Sequence, residues 1–162
     1  METIVEVNNL TRCSINIRFL KNTAKTVLKE EIGPKFKGKI ELSIALISPQ
    51  KIKQLNKKYR KIAVQTDVMS FCEEGDFLAK MRAGRLSEYA YLGEIVINPS
   101  QIKKNAKSGE KNEKEELAWV VIHGVLHLLG YDHEKSPASA RAMREKEKKY
   151  LLTVGFKSIN KF

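Results

Sequence analysis

Apolar and polar positions alternate most regularly from Ile40 to Ile47, where Ile40, Leu42, Ile44 and Leu46 share one face, the period of a half-buried strand. Shorter runs over residues 3–8, Val68–Phe71 and Tyr91–Asn98 predict further strands. From Cys13 to about Ile32 the period changes to that of a helix, with Ile17, Leu20, Ala24, Val27 and Leu28 on one side and Gly33-Pro34 as a stop. Ser48-Pro49, Asn98-Pro99 and Ser136-Pro137 each place a capping side chain before a proline suited to the first helical position. The first opens a helix that buries Ile52 and Leu55, the second a helix ending near Gly109, the third a helix reaching about Leu152. Asn112, followed by Glu115 and Glu116, opens the central helix, which runs through LAWVVIHGVLHLL to Gly130. Residues 73–90 are mixed and glycine-interrupted, and predict a connection with some local helix. Three or four strands among four or five helices imply one sheet covered by helices, without linker or repeat. The pattern leaves the strand order open.

Composition narrows the class. With 42% hydrophobic and 30% charged residues the 162-residue chain reads as a single globular domain over 1–162 rather than a disordered one. No apolar stretch approaches the roughly 18 residues of a membrane span, and METIVEVNNL lacks a basic segment leading into an apolar one. Cys13 and Cys72 form neither a disulfide framework nor a C-x-x-C pair. A cytoplasmic protein without a membrane partner is therefore expected. Charge adds a second constraint: 30 Lys plus Arg against 19 Asp plus Glu give a formal +11, which favours a polyanionic partner. The excess is concentrated in KIKQLNKKYRK, residues 51–61, which holds six cations and no acid. Arg60 closes that helix, where a guanidinium can bind phosphate bidentately or merely coat the surface.

All three histidines, His123, His127 and His133, fall within eleven positions of an otherwise apolar segment. Residues four apart stand on one helical face, so His123 and His127 are placed to share an ion. Gly130 suits a left-handed helix end, and the turn after it can return His133 toward the other two. Three imidazoles suit zinc and leave a coordination position for water. A structural site would need a fourth ligand, for which Asp132 and Cys72 are the candidates. The spacing matches H-E-x-x-H-x-x-G-x-x-H metallopeptidases, except that Gly124 stands where the general-base glutamate belongs. A peptidase is therefore disfavoured, and any base must come from elsewhere, with Asp132, Glu134, Asp67 and Glu94 as candidates. Thr66-Asp67 is expected to cap a turn, and no tyrosine is singled out for base stacking.

HGVLHLLGYDH at 123–133, with LNKKYR at 55–60, TDVMSF at 66–71 and LGEIVIN at 92–98, closely resembles the bacterial YbeY family over most of the chain. The resemblance implies an α+β fold with a small mixed sheet and one zinc ion per chain on His123, His127 and His133, with Arg60 as the functional arginine. It implies a single-strand-specific endoribonuclease of ribosomal RNA maturation, at the 3′ end of the small-subunit RNA and in late subunit assembly and quality control. The small ribosomal subunit is then the expected partner. A zinc-stabilised assembly factor without turnover is the alternative. Relative to the family, Glu94 replaces a common aspartate, and Ala63-Val64-Gln65 replaces a proline-containing approach to Thr66-Asp67.

Overall fold

The computed structural model describes residues 1–33, 36–73, 75–109 and 112–156; the proline of the expected Gly33-Pro34 stop lies outside them. The strands are β1 (Glu2–Asn9), β2 (Lys39–Leu46), β3 (Val68–Cys72) and β4 (Tyr89–Ile97). The helices are α1 (Ile17–Ile32), α2 (Pro49–Arg60), α3 (Phe77–Arg82), α4 (Pro99–Ser108), α5 (Glu113–Leu129) and α6 (Pro137–Thr153). The α+β class and the four-stranded sheet are as expected, and the sixth helix is α3, inside the connection where local helix was anticipated. Helix α1 starts later than the periodicity suggests. Asn9 and Thr11 side chains accept from the backbone of Thr11 and Cys13 and hold that segment in turns, and Asn16 then caps the helix.

The sheet order is β1-β2-β4-β3. Strands β1, β2 and β4 run parallel, while β3 pairs antiparallel with β4 and forms an edge of this mixed sheet. Ile40, Leu42, Ile44 and Leu46 are all buried and belong to the main core with apolar residues of α1 and α5. On the other side, Ile52 of α2 packs with Ala45, Ile47, Met69 and Val96. Helix α5 touches α1, α4, α6, β3 and β4, which is why it is apolar nearly all round. Gly93 sits at an irregularity of β4 with φ 135°, and a Cβ there would stand 2.1 Å from the Phe71 carbonyl oxygen. Only glycine lets the edge strand approach that closely. No described helix is long and apolar enough to cross a membrane.

Candidate metal centre

Helix α5 presents His123 and His127 one turn apart on the side that opens onto a cavity shared with β3. Its C-terminus is closed by Gly130, at φ 104°, whose N–H donates to the His127 carbonyl, while Tyr131 N–H donates to that of Leu126. A Cβ at Gly130 would lie 2.6 Å from Asp76 Oδ1, so both dihedral and space demand glycine. The turn that follows is fixed at two points. Asp132 Oδ1 accepts from the Glu134 N–H at 2.8 Å, and the Tyr131 hydroxyl donates to Glu31 Oε2 at 2.8 Å. His133 is thereby returned to the other two imidazoles, and the three potential ligand atoms lie within 4.8 Å of one another.

Nitrogens bound to tetrahedral zinc lie roughly 2.0–2.1 Å from the ion and hence roughly 3.3 Å apart. The Nε2 atoms of His123 and His127 stand 3.1 Å apart, already at that spacing. Exposed His133 is free to close the remaining ~1.5 Å by side-chain rotation. The donor set therefore fits a divalent ion bound by three imidazoles. Neither Asp132 nor Cys72 joins the cluster among the described residues. Asp132 serves the turn, and Cys72 Sγ lies 2.8 Å from the Gly75 carbonyl oxygen as its donor.

A partner for His123 comes from α6. Glu147 Oε1 lies 2.6 Å from His123 Nδ1, and the carboxylate side chain is only 5% exposed. A proton on Nδ1 shared with this carboxylate leaves Nε2 as the lone-pair nitrogen, on the side of His127. The Trp119 ring stacks on His123 at 4.8 Å and fixes its plane. Burial, reinforced by the neighbouring His123 and His133, pushes His127 down to about 4 from an ordinary 6.5, so it is neutral near neutral pH. Sequence reasoning missed Glu147, which reads as one acid among the alternating charges of α6.

Glu31 of α1 is a second polar centre behind the histidine turn. It accepts from Tyr131, from Lys146 Nζ at 2.7 Å and from the Tyr150 hydroxyl, tying α1, the turn and α6 together. Burial would raise its carboxyl, but these three donors, Lys146 foremost, outweigh it and hold the group below its ordinary value. Burial and the bond to Glu31 push both tyrosine hydroxyls above their usual range, so they stay protonated donors.

The histidines open onto a cavity of about 480 Å³ straddling the edge strand β3. The end of α2, with Tyr59 and Arg60, lines the same cavity, as does Glu134. Arg60 is the last helical residue because Lys61 takes a left-handed conformation, φ 62°, and its N–H donates to the Asn56 carbonyl. Buried Asn56 also donates from Nδ2 to the Val64 carbonyl at 2.9 Å, pinning the loop that carries Ala63-Val64-Gln65. Arg60 Nη2 approaches Glu134 Oε1 at 3.7 Å, with both side chains more than half exposed, a weak pair that a phosphate can displace.

The four candidate bases separate clearly. Asp67 lines the cavity, yet its oxygens accept from Val68 N–H, Thr66 Oγ1 and Asn105 Nδ2 and so fix the loop into β3. Glu134 lines the cavity and, among the described residues, its carboxylate pairs with Arg60 alone; Asp132 and Glu94 do not line it. Gly124 is buried against the sheet, where a Cβ would stand 2.9 Å from Ile95 Cγ2. A glutamate at that position would collide with the core.

Residues 6–155 match the family model described as endoribonuclease YbeY. The chain is 43% identical over 110 residues to endoribonuclease YbeY of Thermodesulfovibrio yellowstonii, an alignment covering 68% of this chain and 64% of that relative, just under two thirds of its length. It is 36% identical over 144 residues to endoribonuclease YbeY of Petrotoga mobilis, covering 89% and 90% of the two chains. The solution structure of TM1509 from Thermotoga maritima is similar with a TM-score of 0.64 and 30% identity, over 93% of this chain and 89% of that one.

Proposed function

The chain belongs to the YbeY family, and from that premise we propose that it is a metal-dependent endoribonuclease of single-stranded RNA, acting in ribosomal RNA maturation. The carrying observation is the convergence of His123, His127 and His133 on a cavity that Arg60 also lines. One zinc ion per chain is the cofactor this donor set suits, with His123 oriented through Glu147 and His127 kept neutral by burial. When bound, such an ion supplies a Lewis acid at a phosphoryl oxygen and lowers the pKa of a coordinated water. Arg60 supplies the fixed positive group for phosphate oxygens in the cavity that the histidines also line, and the lysines of α2 attract the strand. The 3′ end of small-subunit RNA is the proposed target and the small ribosomal subunit the proposed partner, in the cytoplasm.

The test is cleavage of precursor small-subunit RNA by zinc-loaded protein beside His127→Ala and Arg60→Ala. Equal cleavage by all three would refute the proposal and point to a contaminant. Product ends then separate direct water attack from attack by the RNA 2′-hydroxyl, since a 2′,3′-cyclic phosphate marks the latter. A second reading, an assembly factor without turnover, draws on the base assignments: among the four carboxylates considered, only Glu134 both lines the cavity and is free of the loop scaffold. It requires that Arg60→Ala weaken subunit binding while the parent chain cleaves nothing in the native-like complex. A peptidase is disfavoured because position 124 faces Ile95.

A further inference from the structure

Helix α2 is held on the sheet by buried Ile52 and half-buried Leu55 and tied to the loop after it by Asn56, which is 5% exposed. Continuing that buried stripe by another turn reaches Tyr59, yet Tyr59 is 55% exposed. The stripe has run off the sheet at β3, the edge strand, and the ring meets Phe71 of that strand edge-on, at 5.0 Å and 67°. The ring is not part of the buried cluster beneath the helix. It forms part of the wall of the cavity that Arg60 and the three histidines also line. Of the other large aromatics of the cavity, Phe71 meets Tyr59 and Trp119 stacks on His123.

The charges around Tyr59 are also informative. Lys58 Nζ lies 5.0 Å from the ring centroid, and Lys57, Arg60 and Lys61 are its sequence neighbours at the end of α2. An aromatic ring set among cations at the rim of a cleft is the arrangement that holds single strands: the cations follow the phosphates and the ring stacks a base. An ammonium over the ring is readily exchanged, because a stacking base takes its place while the strand offers it a phosphate.

We propose that Tyr59 is a stacking platform for one unpaired nucleobase of the substrate strand, seated by Phe71 and flanked by the phosphate-binding Arg60. This rests on the RNA reading above and deepens it, because it assigns the preference for single strands to a residue. A base inside a duplex is stacked on both faces and has none to offer the ring. Selection is then by an available base face and not by base identity, since every base has one.

The experiment measures equilibrium binding of zinc-loaded protein to a short uncleavable 2′-O-methyl strand, to the same strand lacking bases, and to its duplex. Tyr59→Leu is expected to bind the base-bearing strand about tenfold more weakly than the parent. Tyr59→Phe and Tyr59→Trp should stay within about twofold, since they keep the ring. Parent and Tyr59→Leu should bind the strand lacking bases alike. Unchanged binding of the base-bearing strand by Tyr59→Leu overturns the proposal, as does a loss in Tyr59→Phe equal to that in Tyr59→Leu. A parent chain that binds the base-bearing and base-free strands equally also overturns it, whether or not any variant folds. Should the parent neither bind nor cleave RNA, the RNA reading itself fails; cleavage with an indifferent Tyr59 leaves that reading standing and removes only this inference.

Discussion

Glu147 carries the most quantitative prediction. Its carboxylate, 2.6 Å from His123 Nδ1 and 5% exposed, selects the tautomer that leaves Nε2 for a metal. Glu147→Gln keeps an acceptor of similar shape but loses the charge, and a charge-assisted bond is roughly twice as strong as a neutral one. Loss of an outer partner typically costs 10–100-fold in metal affinity, so Gln is placed near the lower end and Glu147→Ala near the upper end. A tenfold weaker Kd removes about 1.4 kcal/mol of zinc-dependent stabilisation at saturating metal. For a chain of this size that is a fall of about 3–6 °C in the melting shift produced by zinc, and about twice that for Ala. Competition against a chromophoric chelator reads the affinity, calorimetry with and without zinc reads the shift, and nitrogen NMR of His123 reads the tautomer. A merely structural role predicts that Glu147→Ala lowers the metal-free melting temperature while zinc affinity stays within about twofold. That result would refute the reasoning.

Three further outcomes are expected. Arg60→Ala should depress RNA cleavage while moving the melting temperature by no more than about 1–2 °C, because its exposed pair with Glu134 contributes little; a large unfolding effect would show the arginine to be structural. Gly124→Ala should cost about 1 kcal/mol by denaturant titration, overpacking against Ile95 exceeding the helix-propensity gain, and Gly124→Glu should cost at least about 3 kcal/mol and create no peptidase; a stable Gly124→Glu protein would contradict the placement of that face. In the metal-free protein, stability should fall as pH drops from 6.5 to about 4, since the unfolded chain protonates His127 while the fold resists until about 4. The loss should be roughly 1–2 kcal/mol after allowing for partial exposure, should flatten in His127→Gln, and should be followed below 4.5 by the loss from Glu31, whose carboxyl is held down in the fold. A stability profile flat between pH 6.5 and 4 would sink the assignment.

Local chemistry made much of the molecule legible before its shape was known. The alternation of β2, the cap-proline pairs and Gly130 locate their elements because each reports a backbone requirement of its own neighbourhood. Strand order is different in kind: β4 lies between β2 and β3 through crossovers and the close approach at Gly93, and none of this leaves a periodic trace. The same division runs through the site. His123, His127 and His133 are near one another in sequence and stood out, whereas Glu147 is 24 residues from its histidine and Glu31 is 100 from Tyr131. Both acids sit among lysines and look like solvated helix charge until α1 and α6 turn them inward. Tyr59 was indistinguishable from a core tyrosine until the sheet was seen to end beneath it.

The dependence of the histidines on α6 has a consequence for how the protein comes into being. A chain synthesised from its N-terminus releases all three imidazoles before the helix that carries Glu147 and the two α6 donors to Glu31. Until that last helix docks, the His123 ring has no fixed tautomer and the His133 turn is held from one side only. An emerging chain therefore presents its basic α2 while the histidine cluster still lacks its Glu147 contact. Docking of α6, and not mere presence of the three histidines, completes the site that the proposed activity requires.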